Sequence, residues 1–218
     1  DWENSLPPDV SLSYLPIGTR IKLRLTAKGR DLKFLENLLE TEIQKLFPLI
    51  GKNIIAIQQD AIEQILHDIL IQKKLTISTA ESCTGGELSR LITSVSGSSA
   101  YFSGGIVTYK TEKKMAFLKV SEQTIKEKKV VSSEVALEMA KGCRELFGTD
   151  ISISTTGVAG PNTDEQNNEI GTVYFAIQLK EREEVFKLFL PHMERKDFVT
   201  FVSKKAIENL VKILRNEE

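Results

Sequence analysis

The chain is poor in the residues that most often build cross-links and metal sites. It has two cysteines, two histidines and one tryptophan in 218 residues. Cys83 and Cys143 are too few for a disulfide framework or a zinc cluster. His67 falls within an amphipathic helical pattern and His192 follows Pro191 in a loop, which argues against a serine–histidine triad and against a histidine-ligated metal. No apolar run reaches the roughly 20 residues that a bilayer requires. No long block of one charge sign occurs either, and the formal net charge is −1, which argues against a polyanion or a charged membrane as partner. The phosphate-binding patterns G-x-x-x-x-G-K-[ST] and G-x-G-x-x-G are both missing. The first residues, Asp1-Trp2-Glu3-Asn4, carry no signal-peptide pattern and no initiator methionine. The expectation is a piece of a longer cytoplasmic protein.

What is present suits a folded globular chain, with 41% apolar and 27% charged residues. After Pro7-Pro8, Val10, Leu12 and Tyr14 alternate with polar positions, as do Ile21, Leu23 and Leu25 with Arg20, Lys22, Arg24 and Thr26. A period of two predicts a pair of short strands, one face buried and one basic. Asp31 is placed to cap a helix carrying Leu32, Leu35, Leu38, Leu39 and Ile43. This β-β-α piece is assigned to residues 1–53 and a larger domain to 54–218, with the boundary between Gly51 and Gln58. In the larger part, helical patterns alternate with β-prone runs at Leu75–Thr79, Gly105–Tyr109 and Ile151–Thr155. An apparent hairpin over 172–178 and 185–190 and a closing helix follow. That order predicts a three-layer α/β/α sandwich on a mixed sheet, preceded by the small β-β-α segment.

Two strand ends run into glycine-rich turns, at Gly85-Gly86 and from Gly157 to Gly160. In open α/β sheets, ligands bind at the carboxyl ends of strands, and glycine lets backbone approach them closely. Ser82 sits at such a strand-to-helix turn, where a nucleophile is exposed and backbone N–H groups can stabilise an oxyanion. Its base would be a lysine. If Thr111 caps the following helix, Lys114 lies in the first turn, where the positive dipole end disfavours an ammonium, as would partial burial beside Ser82. On residue type alone, Lys114 reads more readily as a solvated surface lysine than as a base, since most lysines are exposed. Cys83 is a rival nucleophile for which the sequence places no base, and a small buried hydrophobe is its commoner role.

Several blocks, taken in order, resemble one family. They are Ala80-Glu81-Ser82-Cys83-Thr84-Gly85-Gly86, Gly97-Ser98-Ser99-Ala100, Gly104-Gly105-Ile106-Val107-Thr108-Tyr109, Thr156-Gly157-Val158-Ala159-Gly160-Pro161 and Gly171-Thr172-Val173. Together they resemble the CinA C-terminal family over about Ile54 to Leu214. Leu23-Arg24-Leu25-Thr26-Ala27-Lys28-Gly29 resembles the KH-like connector of full-length CinA. The resemblance implies hydrolysis of the amide of nicotinamide mononucleotide to nicotinate mononucleotide and ammonia, in pyridine nucleotide recycling. It assigns Ser82 as nucleophile and Lys114 as base. It places Glu81, Thr84, Gly85, Gly86, Tyr109, Thr156, Gly157 and Arg195 around the substrate. No metal or organic cofactor is implied. A homodimer is implied, as is a front domain, absent here, similar to molybdopterin-binding proteins and linked to ADP-ribose pyrophosphatase activity.

The chain departs from the family in three places. The loop over 162–169 is acidic and lacks glycine and a usual lysine. Met193-Glu194 stand before Arg195 where the family has glycine and aspartate. Val199-Thr200 stand where a further arginine is frequent. The alternative reading is therefore a catalytically silent nucleotide-binding or interaction module of a competence-damage-inducible protein. Nucleic-acid binding through Arg20, Lys22, Arg24, Lys28 and Arg30 is disfavoured, because the segment lacks the G-x-x-G loop of KH modules. A solvated strand face, or packing onto the front domain, explains those residues better.

Overall fold

The computed structural model describes residues 2–57 and 61–215, which form two compact units. In the smaller, β1 (Val10–Ile17) and β2 (Arg20–Ala27) pair antiparallel from Val10↔Ala27 to Ile17↔Arg20. Gly18, at φ 57°, supplies the left-handed backbone that the tight hairpin turn requires. α1 (Leu32–Ile50) starts at Asp31, whose carboxylate accepts the Phe34 N–H at 3.1 Å. Burial is thinner here than the alternation predicts. Tyr14 is 55% and Ile21 66% exposed, and Leu32 and Phe34 lie open on the helix. One helix does not cover the apolar face of a hairpin of two eight-residue strands.

The larger unit opens with α2 (Ile62–Lys73), whose Ile62, Ile65, Leu66, Ile69 and Leu70 are all buried. Then come β3 (Ile77–Glu81), α3 (Glu87–Thr93), β4 (Phe102–Val107), α4 (Thr111–Leu118), α5 (Glu122–Lys128) and α6 (Ser133–Phe147). β5 (Ile151–Gly157), β6 (Thr172–Gln178), β7 (Glu183–Phe189) and α7 (Arg195–Arg215) complete it. The sheet order is β4-β3-β5-β6-β7. β3 runs parallel to β4 and β5, whereas β5–β6 and β6–β7 are antiparallel. The mixed sheet follows from the alternation of strands and helices giving way to a terminal hairpin.

Side-chain alternation along the central strands builds the two outer layers. Ser152 and Ser154 donate to the carbonyls of Ala140 and Ala136 at 2.6 and 2.5 Å, joining β5 to α6. Ala80 of β3 packs in the same layer with Leu118, Val135, Met139 and Cys143. Thr79 and Glu81 instead bond Ser89 of α3, in the layer that α3 shares with α2 and α7. The fold is the expected three-layer α/β/α sandwich. Gly142 sets the approach of α6 to α4, since a Cβ there would overlap the Leu118 carbonyl.

Three local expectations are corrected. β3 begins at Ile77 rather than Leu75. Leu146, which helical spacing sets on one stripe with Val135, Met139 and Cys143, is 51% exposed, and Phe147 packs against the core at that helix end instead. The sequence reading missed α5, which buries only Ile125. Its one clear signal is Ser121, whose hydroxyl accepts the Thr124 N–H.

Candidate active site

The site forms at the carboxyl end of β3, where the chain turns through Ser82, Cys83, Thr84, Gly85 and Gly86 into α3. Gly85 and Gly86 have φ of 61° and 104°, a backbone that a side chain would strain. Gly86 is the N-cap residue and has no side chain to cap the helix, so Glu81 does it from the preceding strand. One carboxylate oxygen accepts the N–H groups of Gly86 and Leu88 and the Thr84 hydroxyl, at 2.9, 3.1 and 2.7 Å. The other accepts the N–H and hydroxyl of Ser89 at 2.8 and 2.6 Å. Glu81 is fully buried. Both its oxygens serve the turn, so it does not line a ligand surface as expected from the sequence.

A hydroxyl chain extends this network. The Thr84 hydroxyl has one proton, and a carboxylate only accepts, so Thr84 donates that proton's hydrogen bond to Glu81. Thr155 must then donate to Thr84 across their 2.7 Å separation, leaving its oxygen to accept the Ser82 N–H at 3.4 Å. Thr155, on the neighbouring strand, thereby links Glu81 to the backbone of Ser82.

Ser82 Oγ lies 3.0 Å from Lys114 Nζ. The ammonium end of Lys114 also reaches the carbonyls of Thr108 and Tyr109 at 2.7 and 3.2 Å, and the residue is 1% exposed. Three partners match both protonation states. An ammonium donates to all three. A neutral amine donates to the two carbonyls and turns its lone pair to the Ser82 hydroxyl. Burial lowers the Lys114 pKa from 10.5 to about 8, while Cys83 and Glu112 act the other way. Lys110, rather than Thr111, is the N-cap of α4, and no side chain caps the helix. Lys114 is thus its fourth residue, and of the two causes expected for the shift, removal from water is the one that carries it.

Cys83 packs with Ala159, Val173, Phe198 and Val202, and burial pushes its thiol up to about 12. It therefore holds its proton where Lys114 loses one, and behaves as a small apolar residue. His67 contacts the Tyr101 hydroxyl at 3.3 Å and is structural.

The remaining expected residues divide. Arg195, the first residue of α7, donates from Nη2 to the Tyr109 hydroxyl at 2.6 Å and from Nη1 to the Gly160 carbonyl at 3.0 Å. Arg195 and Tyr109 are thereby joined to the loop that holds Lys114. Thr156 is buried and donates to the Val130 carbonyl at 2.9 Å. Gly157 packs against β6, where a Cβ would lie 2.7 Å from the Thr172 carbonyl. Its glycine serves strand packing. Thr155, Ser89 and the Thr108 carbonyl were not singled out from the sequence, and hydroxyls on β-prone runs give no local signal of such contacts. Arg195 also lines an open cleft of about 630 Å³ with Glu87, Arg90, Lys196, Val199 and Thr200. In the altered loop, Asp164 bonds Asn168 through its backbone N–H and its amide, and Gln166 accepts the Val130 N–H.

Residues 59–214 match the model of the family described as CinA C-terminal domain. A CinA-like protein of Flavobacterium psychrophilum is 49% identical over 177 residues, covering 81% of this chain and 42% of its own length. One from Cytophaga hutchinsonii is 36% identical over 212 residues, covering 97% and 50%. Among solved structures, a competence-damaged protein (CinA) superfamily protein from Escherichia coli matches at TM-score 0.68 and 30% identity, over 75% of this chain and 98% of that one. A second, from Klebsiella pneumoniae, gives 0.69 and 29%, over 72% and 99%. The chain spans about half the length of the curated relatives it matches. With its residues 59–214 matching the family model and a similarly folded solved relative at 30% identity, the chain belongs to the CinA C-terminal domain family.

Proposed function

We propose that the larger unit is a serine–lysine amidohydrolase acting on the carboxamide of nicotinamide mononucleotide. The observation that carries the chemistry is the 3.0 Å approach of a buried, pKa-lowered Lys114 to Ser82 Oγ. The pyridine substrate comes from the family resemblance. Neutral Lys114 takes the Ser82 proton as Oγ attacks the amide carbon. The resulting oxyanion meets the Thr84 N–H, for which no acceptor occurs among the described residues. The lysine then returns the proton to the amide nitrogen, ammonia leaves, and water cleaves the nicotinoyl ester on Ser82 by the same proton path reversed. Arg195, with Lys196 and Arg90 along the cleft, offers cations for the phosphate. A homodimer and a front domain in the longer protein belong to the same reading. Among the described residues no helix is long and apolar enough to cross a membrane.

Ammonia release from nicotinamide mononucleotide, set against nicotinamide, its riboside and the dinucleotide, tests the proposal. Release that requires Ser82 supports it. A folded protein that binds the nucleotide and releases no ammonia supports the silent module instead.

A further inference from the structure

The segment over 108–110 that joins β4 to α4 supplies both carbonyls that hold Lys114 Nζ. Its first residue is fixed, since the Thr108 N–H donates to the Glu81 carbonyl at 2.9 Å. Tyr109 is different. It is 57% exposed, and its phenol oxygen bonds only Arg195 Nη2 among the described residues. The same guanidinium is anchored to the Gly160 carbonyl in another loop. A rigid planar cation spanning two loops restrains both, which a flexible lysine would not do.

We propose that Arg195 is a positioning residue for the base: by holding the Tyr109 phenol against the Gly160 loop, it fixes the Tyr109 carbonyl on Lys114 Nζ and so aims that nitrogen at Ser82. The path has three contacts: Arg195 Nη2 to Tyr109 Oη at 2.6 Å, Tyr109 O to Lys114 Nζ at 3.2 Å, and Nζ to Ser82 Oγ at 3.0 Å. This role differs from phosphate binding, which involves the substrate and not the loop. It rests on the serine–lysine reading of the site.

The two roles separate on a substrate without phosphate. With nicotinamide riboside, Arg195→Ala and Tyr109→Phe should each lower kcat by about tenfold, since small misplacements of reacting groups are costly. The double variant should be no worse than the poorer single, because both break the same Arg195–Tyr109 contact. Arg195→Lys should not rescue. Loss confined to the KM of the mononucleotide in Arg195→Ala, with Tyr109→Phe unaffected, would overturn the proposal and leave Arg195 as a phosphate ligand. A second readout needs no turnover: the titration of Lys114 followed by NMR of protein carrying labelled lysine. Its titratable neighbours are Cys83 and Glu112, and neither is altered by these variants. Loosening the loop should admit water and move the Lys114 midpoint upward in both. An unmoved or lowered midpoint in both would overturn the proposal even if no amide were hydrolysed. A shifted midpoint in a protein that releases no ammonia would uphold the positioning and reject the hydrolase.

Discussion

Glu81 and Ser82 are adjacent in the chain and serve opposite layers of the sandwich. The Glu81 carboxylate caps α3 on one side of the sheet, and the Ser82 hydroxyl meets Lys114 of α4 on the other. Strand alternation at the end of β3 thus joins a structural clamp to a reactive pair. The predictions follow from that division of labour.

Ser82→Ala should abolish amide hydrolysis and leave the fold intact, since the hydroxyl makes one side-chain contact, to Lys114. The loss should exceed the roughly 10²–10³ that follows removal of one oxyanion donor. Ammonia release at near the parent rate by a folded Ser82→Ala protein would take the serine out of the mechanism.

Lys114 predicts a pH dependence. Where chemistry limits the rate, turnover should rise with pH through the Lys114 pKa of about 8 and level off above it. Lys114→Arg keeps the charge without a base near neutrality, so it should be nearly as inactive as Lys114→Ala. Substantial activity in Lys114→Arg would show that the site needs the charge and not proton transfer.

The same shift predicts a stability signature. Between about pH 8 and 10.5 the unfolded chain keeps a proton on this lysine that the folded chain has lost. The unfolded state binding more protons means that stability rises with pH through this window. Relative to Lys114→Met, the parent should gain on the order of 3 kcal/mol across it. Parallel denaturation midpoints for the two proteins over this range would contradict the buried, neutral lysine.

Glu81→Gln should damage folding and turnover together, because an amide cannot accept at both ends as the carboxylate does here. A loss of about 2–4 kcal/mol is expected for breaking a buried network of charge-assisted bonds. Chemical denaturation reads the stability, and kcat at a temperature where the variant is folded reads the turn.

Cys83→Ala should cost about 1 kcal/mol through lost packing against Val173 and Phe198, with turnover close to the parent. Inactivation by that substitution, in a protein that remains folded, would restore the thiol as a nucleophile.

Much of the fold was legible because its signals are local. The Ile62–Leu70 stripe, the Asp31 cap and the β-prone run at 151–155 each depend on residues a few positions apart. Ser82 was legible through its turn. Lys114 was a candidate by its place in the helix after Thr111 and was preferred through the family resemblance, since residue type alone does not tell a buried lysine from a solvated one. The hidden part is non-local. Glu81 read as a ligand-facing residue because the helix it caps lies beyond the turn, and Thr155 gave no sign of its place because its partners are on another strand. Of the two causes expected for the Lys114 shift, burial carries it, and its depth is set by residues of other elements.

The glycine at position 142 acts as a gauge for the reactive pair. A lysine arm has fixed reach, so the gap to the serine depends on how close α4 is allowed to settle, and that is decided by an absent methyl on α6. Gly142→Ala would push the Leu118 carbonyl outward and retract the amine from a site the substitution never touches. The exposed face of α4, Lys113 for one, can vary in charge and size without altering that calibration, whereas one added carbon on α6 detunes it.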